Sequence, residues 1–218
     1  MEETFWSPVR LSIEVAFFSG ILVFVLGLFL GKLMANKKFK GKSIIETAFL
    51  LPLVLPPTVV GFLLIIFFGK NSPVGQWIEW LFHKPVIFTW WAAVIASTVV
   101  AFPLMYQSAK LGFESIDEDI ENAARVDGAT EFTLLRKISL PLALKAIVSG
   151  AILSFARALG EFGATLMFAG NIPGKTQTIP TAIYVAIDSG NMSLAWLWVL
   201  SIIGISFLML ISVNLMKA

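Results

Sequence analysis

The sequence predicts an all-α, polytopic membrane protein with five spans, and three observations carry that class. Apolar residues make up 57% of the 218 and charged residues 14%, against roughly 25% charged in an ordinary soluble domain. Mean hydropathy is +0.86. Five apolar runs each reach about the 20 residues that a helix needs to cross a bilayer, and lysines and arginines crowd into alternate connections. The formal charge of +2 says little, because placement matters more than the total. With no cysteine there is no disulfide, no thiolate nucleophile and no sulfur-ligated metal. Membrane lipids are the expected surroundings; no nucleic acid, metal or cofactor is expected. The whole of 1–218 reads as one transmembrane domain.

The first span covers about 11–34. Its apolar core is too long for a signal peptide, and its positive charges follow it. Glu14 lies near its start, at the interface or facing the bundle. Gly27 and Gly31 form a small-xxx-small pair that admits a second helix, from this chain or from another copy. A compact basic loop, NKKFKGK, fills 36–42. The second span, about 45–68, carries Pro52, Pro56 and Pro57. Interior prolines free carbonyls and kink a helix, which a membrane tolerates where neighbours or water satisfy the backbone. Three of them so close together predict a bent, pathway-lining helix. A polar connection over 69–85 holds Trp77, Trp80 and the single histidine, His83, which reads as a surface residue. The third span, about 86–109, contains Pro103.

A polar island follows at 114–141, ESIDEDIENAARVDGATEFTLLRKISLP. It reads as two short helices joined at a glycine. Ser115 with Glu118 forms a candidate capping box, and Asp117, Glu118 and Asp119 suit the first turn of a helix dipole. Ile116, Ile120, Ala123 and Ala124 make a narrow apolar stripe. Gly128 suits a left-handed stop. Thr130 can cap a second helix bearing Phe132, Leu134, Leu135 and Ile138, with Arg136 and Lys137 near its end. Neither helix can cross a bilayer. A solvated loop on the lipid surface is one reading; the caps, the turn and the small alanines favour a docking element for a soluble protein.

The fourth span, about 142–168, contains Arg157 and Glu161. The connection over 170–193 includes a short helix, 180–188, closed by Gly190. Its Ile183, Ala186 and Ile187 suit an element lying flat at the outer interface or folded into a vestibule. The last span, about 194–216, is followed by Lys217. Eleven basic residues, among them Lys32, Lys37, Lys110, Arg136 and Lys145, fall on the side of the polar island. Four, Arg10, Lys70, Lys84 and Lys175, fall on the other. That bias predicts a cytoplasmic island, an external N-terminus and a cytoplasmic C-terminus. All seven tryptophans then lie near the outer interface. The two halves show no repeat, which weighs against an inverted-repeat transporter.

Candidate chemistry is sparse. GNIPGKT at 170–176 imitates a phosphate-binding loop but has three residues between its glycines where four are required, and it follows a membrane span. Gly41-Lys42-Ser43 lacks the upstream glycine. The nucleotide site, if any, belongs to a partner. Arg157 and Glu161 stand one helical turn apart. A charge at mid-bilayer costs roughly 2.5 kcal/mol or more, so such groups pair or face water. They fix helix packing, line a pathway, or contact a second subunit at a gate; Arg157 as a direct anion ligand is a further option. The spans hold no nucleophile–base pair and no metal cluster, so no enzyme is expected.

Two motifs resemble a known family. Asn122-Ala123-Ala124, Asp127-Gly128-Ala129 and Ile138-Ser139-Leu140-Pro141 match the EAA loop of ABC-importer permeases, with Glu121 beside an Asn122 that stands where the family has its glutamate. FARALGEFGAT at 155–165, which includes Gly163, is similar to the molybdate permease branch, the ModB family. So are NIPGKTQTIP at 171–180, AIY at 182–184 and LPLVLPP at 51–57. The resemblance implies a type I ABC importer permease in a prokaryotic cell membrane, working as a homodimer by alternating access. It implies a cytoplasmic ATP-binding subunit dimer docked on the loop, through Glu121 to Ala124, Asp127 to Ala129, Ile138, Leu140 and Pro141. It also implies an extracytoplasmic oxyanion-binding protein. Pro52, Pro56, Pro57, Arg157, Glu161 and Gly163 then line the pathway or pack its helices. Sulfate or tungstate are alternative cargoes. A proton-coupled secondary transporter using Glu161 is the rival from another class.

Overall fold

A computed structural model describes residues 2–217, and within them the chain forms eleven α-helices, one π-helical turn and no strand. The hub is α5 (Trp90–Glu114), in which 13 of 25 residues are buried. Most of those thirteen are alanine or other small residues. In a medium as apolar as the side chains themselves, helices associate by close backbone approach, which small residues permit. α1 (Glu2–Ala35) and α8 (Leu140–Leu159) pack on this hub and on each other. A Cβ added to Gly27 would lie 2.6 Å from Met105 Cγ, and one on Gly31 would lie 2.8 Å from Ala109 Cβ. The glycine pair of the first span is therefore used inside the chain, between α1 and α5.

Among the described residues four helical stretches are long and apolar enough to cross a membrane, and the count reaches five when a sharply bent pair is taken as one span. That pair corrects the second expected span. Instead of one kinked helix over 45–68, α2 (Lys42–Val54) and α3 (Pro57–Phe68) meet at a 117° bend. Pro56 and Pro57 explain the break. Neither offers an N–H, and Pro56 pushes the residue before it out of the helical region; Leu55 accordingly sits at φ −67°, ψ 143°. Pro52 remains inside α2.

The fourth expected span, 142–168, is also shorter than its hydropathy suggests. α8 ends at Leu159, residues 160–162 leave the helix, and α9 (Gly163–Phe168) is a separate short element packed on α3. At its other end α8 continues backwards through a π-helical turn (Leu135–Ser139) and α7 (Glu131–Leu134), so helical structure is unbroken from Glu131 to Leu159.

α1 separates the two ends of the bundle. Near its start, Ser12 Oγ accepts the Ile179 N–H at 2.7 Å, and the Trp198 indole donates to the Phe5 carbonyl at 3.0 Å. These contacts hold α10 (Ile179–Asp188) and the start of α11 (Met192–Lys217) against it. The short helix expected at 180–188 is thus present, and Gly190 closes it at φ 75°. Ala186 is buried there while Ile187 faces outward. α4 (Pro73–Phe82) fills part of the polar connection, and His83 follows it, exposed. At the far end of α1, Lys32 meets α6 (Glu118–Val126). Phe17, Phe29, Phe62, Ile66 and Leu208 cover the outside of the bundle, a surface suited to lipid rather than water. Lys217 closes α11, with a side chain outside the described residues.

Candidate coupling loop and helix breaks

The polar island is a helical hairpin with one change of register from the expected caps. α5 runs on to Glu114, five residues past its predicted end. Ser115 therefore terminates α5, its hydroxyl donating to the Gly112 carbonyl at 2.8 Å, and does not cap α6. Asp117 takes that role, accepting the Asp119 N–H at 3.0 Å. Thr130 caps α7 as expected, accepting the Thr133 N–H at 3.3 Å. Between the helices, Gly128 sits at φ 87°, where other residues are strained, and the Ala129 N–H returns to the Ala124 carbonyl.

Arg125 ties the two short helices together. Its Nε donates to Glu131 Oε1 at 2.8 Å, and its Nη1 donates to Asn122 Oδ1 at 3.0 Å. Its other edge lies 3.5 Å from Glu121 Oε2. The hydrogen bond to Glu131 is the main reason the Arg125 pKa is raised, and the same bond holds Glu131 below the usual carboxylate range.

Glu121 points inward and is 5% exposed. Burial alone would raise its pKa. Hydrogen bonds from Lys32 at 2.8 Å and Ser139 at 2.7 Å, with the charges of Lys32 and Arg125, outweigh burial and hold it low. The Lys32 ammonium also lies 5.0 Å from the centre of the Phe113 ring. Asn122, Ala123, Asp127, Gly128 and Pro141 are exposed, while Ala124, Ala129, Ile138 and Leu140 are half-buried. The apolar stripe divides. Ile116 precedes α6 and is buried, whereas Ile120 faces out with Ala123. Val126 at 88% and Phe132 at 71% exposure extend that outward face. The hairpin thus turns a small apolar patch away from the bundle while a buried carboxylate fixes its back.

The expected pathway residues gather at the two helix breaks. Arg157 Nη1 lies 2.7 Å from Glu161 Oε2. They do not share a helix: Arg157 is in the last turn of α8, and Glu161 stands in the break beyond it. Glu161 is buried and its other oxygen accepts the Ala164 N–H at 2.8 Å, so it also caps α9. Arg157 stays partly exposed. Gly163 meets the other break directly: a Cβ there would be 2.9 Å from Pro57 Cβ. One turn along, a Cβ on Gly61 would be 2.6 Å from Met167 Cβ. Pro57 and Gly163 are therefore brought together. Pro52 lies along a groove with Leu51, Leu55, Val60 and Leu64, and Pro56 is exposed.

Sequence reasoning missed a second charged cluster. Lys110 Nζ lies 2.7 Å from Glu46 and 3.5 Å from Glu114, with Lys42 at 3.8 Å from Glu46, and the Tyr106 hydroxyl donates to Glu46 at 3.4 Å. It joins α2, which has no buried residue, to α5. The i, i+4 spacings of Lys42 with Glu46 and of Lys110 with Glu114 were the available signal. In the segment 170–176 the N–H groups of Lys175 and Thr176 both bond the Ile172 carbonyl, so they do not cradle an anion.

Residues 24–218 match the family model described as "Binding-protein-dependent transport system inner membrane component". The chain is 64% identical over 213 residues to the "Putative molybdenum transport system permease protein YvgM" of Bacillus subtilis (strain 168), covering 98% of this chain and 94% of that one. It is 44% identical over 183 residues to the molybdenum transport system permease protein ModB of Haemophilus influenzae, covering 84% and 80%. Among solved structures, the MetNI methionine ABC transporter in inward-facing conformations matches with a TM-score of 0.72. There the likeness covers 98% of this chain and 95% of that one at 19% identity, and is one of fold.

Proposed function

The chain belongs to the binding-protein-dependent transport system inner membrane components, in the molybdate ABC-transporter permease family, and from that premise we propose that it carries molybdate inward as one half of a homodimeric, ATP-driven importer. It is a single transmembrane domain and performs no bond chemistry. An ATP-binding subunit docks on each copy's α6–α7 hairpin, and an extracytoplasmic binding protein delivers the oxyanion to the opposite end. Closure of the ATPase pair draws the hairpins together and reorients the spans. The hairpin lies in the cytoplasm, with the N-terminus outside and the C-terminus inside.

One observation carries this reading. Ile120, Ala123, Val126 and Phe132 are exposed apolar residues on α6, which is too short to cross a membrane, and on α7, which leads into α8, and Glu121 and Arg125 tie the two helices to α1 and to each other. Asn122, Asp127, Gly128 and Ala129 border the same face, and Ile138, Leu140 and Pro141 carry motion into α8. The breaks at 55–56 and 160–162 suit a pathway built from discontinuous helices, with Pro52, Pro56, Pro57, Arg157 and Gly163 along or beside it. Glu161 is engaged by Arg157 and by the Ala164 N–H, which weighs against a free proton relay.

The test is reconstitution in liposomes with the ATPase and binding protein, reading uptake of labelled molybdate against competing tungstate and sulfate. ATP-dependent uptake displaced weakly by sulfate is expected; uptake that follows a proton gradient without any ATPase would reject the proposal. Gly128→Trp should leave the chain inserted yet abolish ATPase co-purification, since space around Gly128 is open within the chain while its φ of 87° strains any side chain, so the indole both enters the docking face and disturbs the turn that shapes it.

A further inference from the structure

Glu121 occupies a junction where α6, the end of α1 and the π-helical turn before α8 meet. Its Oε1 accepts both the Lys32 ammonium at 2.8 Å, from the end of α1, and the Ser139 hydroxyl at 2.7 Å, from the π-helical turn leading into α8. Lys32 also donates to Ser139 Oγ at 3.4 Å, which closes a triangle. The π turn is what brings Ser139 inward. One added residue rotates the following register by about 100°, and Ser139 is fully buried between the exposed Lys137 and Pro141. α7, the π turn and α8 are one continuous helical rod, so motion of the hairpin reaches α8 through the backbone. α1 has no backbone link to the hairpin and is joined to α8 and α5 by side-chain packing alone. It is separated from α6 by 89 residues of chain at the Lys32–Glu121 contact, and α6 otherwise packs chiefly on α7.

We propose that Glu121 is a positioning residue for transport: by holding Lys32 and Ser139 on one carboxylate oxygen, it makes α1 follow the hairpin together with α8. This rests on the reading of α6–α7 as the ATPase-docking loop, and it adds the route by which a second transmembrane helix receives the stroke. Glu121 faces away from the docking patch, so its part is played inside this chain. A carboxylate suits the task because charge-assisted bonds are short and strong, yet remain directional enough to keep both partners in register.

The test uses the assembled transporter in liposomes, with ATPase and binding protein, and reads molybdate moved per ATP hydrolysed alongside ATPase co-purification. Glu121→Gln and Lys32→Met should each lower that ratio about tenfold with the co-purified ATPase unchanged, as expected for loss of a hydrogen bond to a charged group. Combining the two should lower it no further, because both remove one interaction. An unaltered ratio in either single variant overturns the inference, and so do effects that multiply in the double variant. Should Glu121→Gln fail to assemble, Lys32→Met and Ser139→Ala carry the same reading, and an unaltered ratio in both rejects it. Failure of the wild-type chain to bind any ATPase would strike the docking reading instead, before a variant is made.

Discussion

Around Glu121 the chain is fixed by polar side chains reaching between elements, whereas around Gly163 it is fixed by backbone lying on backbone. The first region is held by directional bonds between side chains, each netting about 1–3 kcal/mol. The second is a close contact among apolar atoms, where Gly163 faces Pro57 and Gly61 faces Met167 with no room for a Cβ on either glycine. Packed interfaces of that kind do not deform gradually; they shift between discrete arrangements. The comparison teaches that the hairpin end suits a joint, and that α3 and α9 suit a block that travels as one piece.

The largest effect should come from breaking the block. Gly163→Val places a Cβ 2.9 Å from Pro57 Cβ and a branched side chain beyond it. Overpacking of this type costs about 1–3 kcal/mol, and here the obstacle includes proline, which cannot rotate away. Thermal unfolding in detergent should fall accordingly and uptake should be lost. An unshifted melting curve would mean that the two breaks slide past each other freely, and that the block is no block.

Next in size is the ion pair beside it. Arg157→Ala leaves the buried Glu161 carboxylate with its cap to α9 but without its counter-charge. Removing one partner of a fully buried pair costs about 3–5 kcal/mol; with Arg157 partly exposed, about 2 kcal/mol is expected. Glu161→Gln in the same chain should recover part of that loss, because the amide can still accept the Ala164 N–H. Anion preference should not move. A shift from molybdate toward sulfate would put Arg157 in contact with cargo and make the pair a selector in place of a brace.

The two regions were unequally legible in the sequence. The hairpin was plain, because caps, a left-handed glycine and a switch to polar composition are local signals; the first cap was misplaced, since α5 runs on far enough for Ser115 to end it and Asp117 to begin α6, and the second short helix runs without a break into α8. The breaks were half legible. Hydropathy reads 45–68 and 142–168 as continuous, because a broken helix in a membrane is as apolar as a whole one. Pro56 and Pro57 signalled the first bend, whereas the second was marked locally only by Gly160, which ends α8, and Gly163, and the break also depends on Glu161 finding the α9 N–H and on Pro57 seating against Gly163. Glu121 was singled out, but its partners Lys32 and Ser139 could not be: they lie 89 and 18 residues away and meet it only after α1 and α8 have packed on α5.

The smallest effect at neutral pH, and the one that separates the regions most cleanly, is titration. Glu121 and Glu131 both have lowered pKa values in the folded hairpin. Their contribution is therefore fully present above the unfolded carboxylate value of about 4.3 and is lost as pH falls through the lower, folded values. Arg125, with a raised pKa, adds nothing to that window. The contact of Pro57 and Gly61 with Gly163 and Met167 contains no titrating side chain. Since the chain has no cysteine, a spin label can be placed by Val126→Cys on the hairpin and by Phe62→Cys on α3, both at exposed positions. Mobility at the first site should stay flat from about pH 8 to 5 and rise below about pH 4, while the second stays constant. A rise at the first site near neutrality would mean that the hairpin is held by something other than these carboxylates; a parallel rise at both would mean that hairpin and block unfold as a single unit, and that the joint between them does not exist.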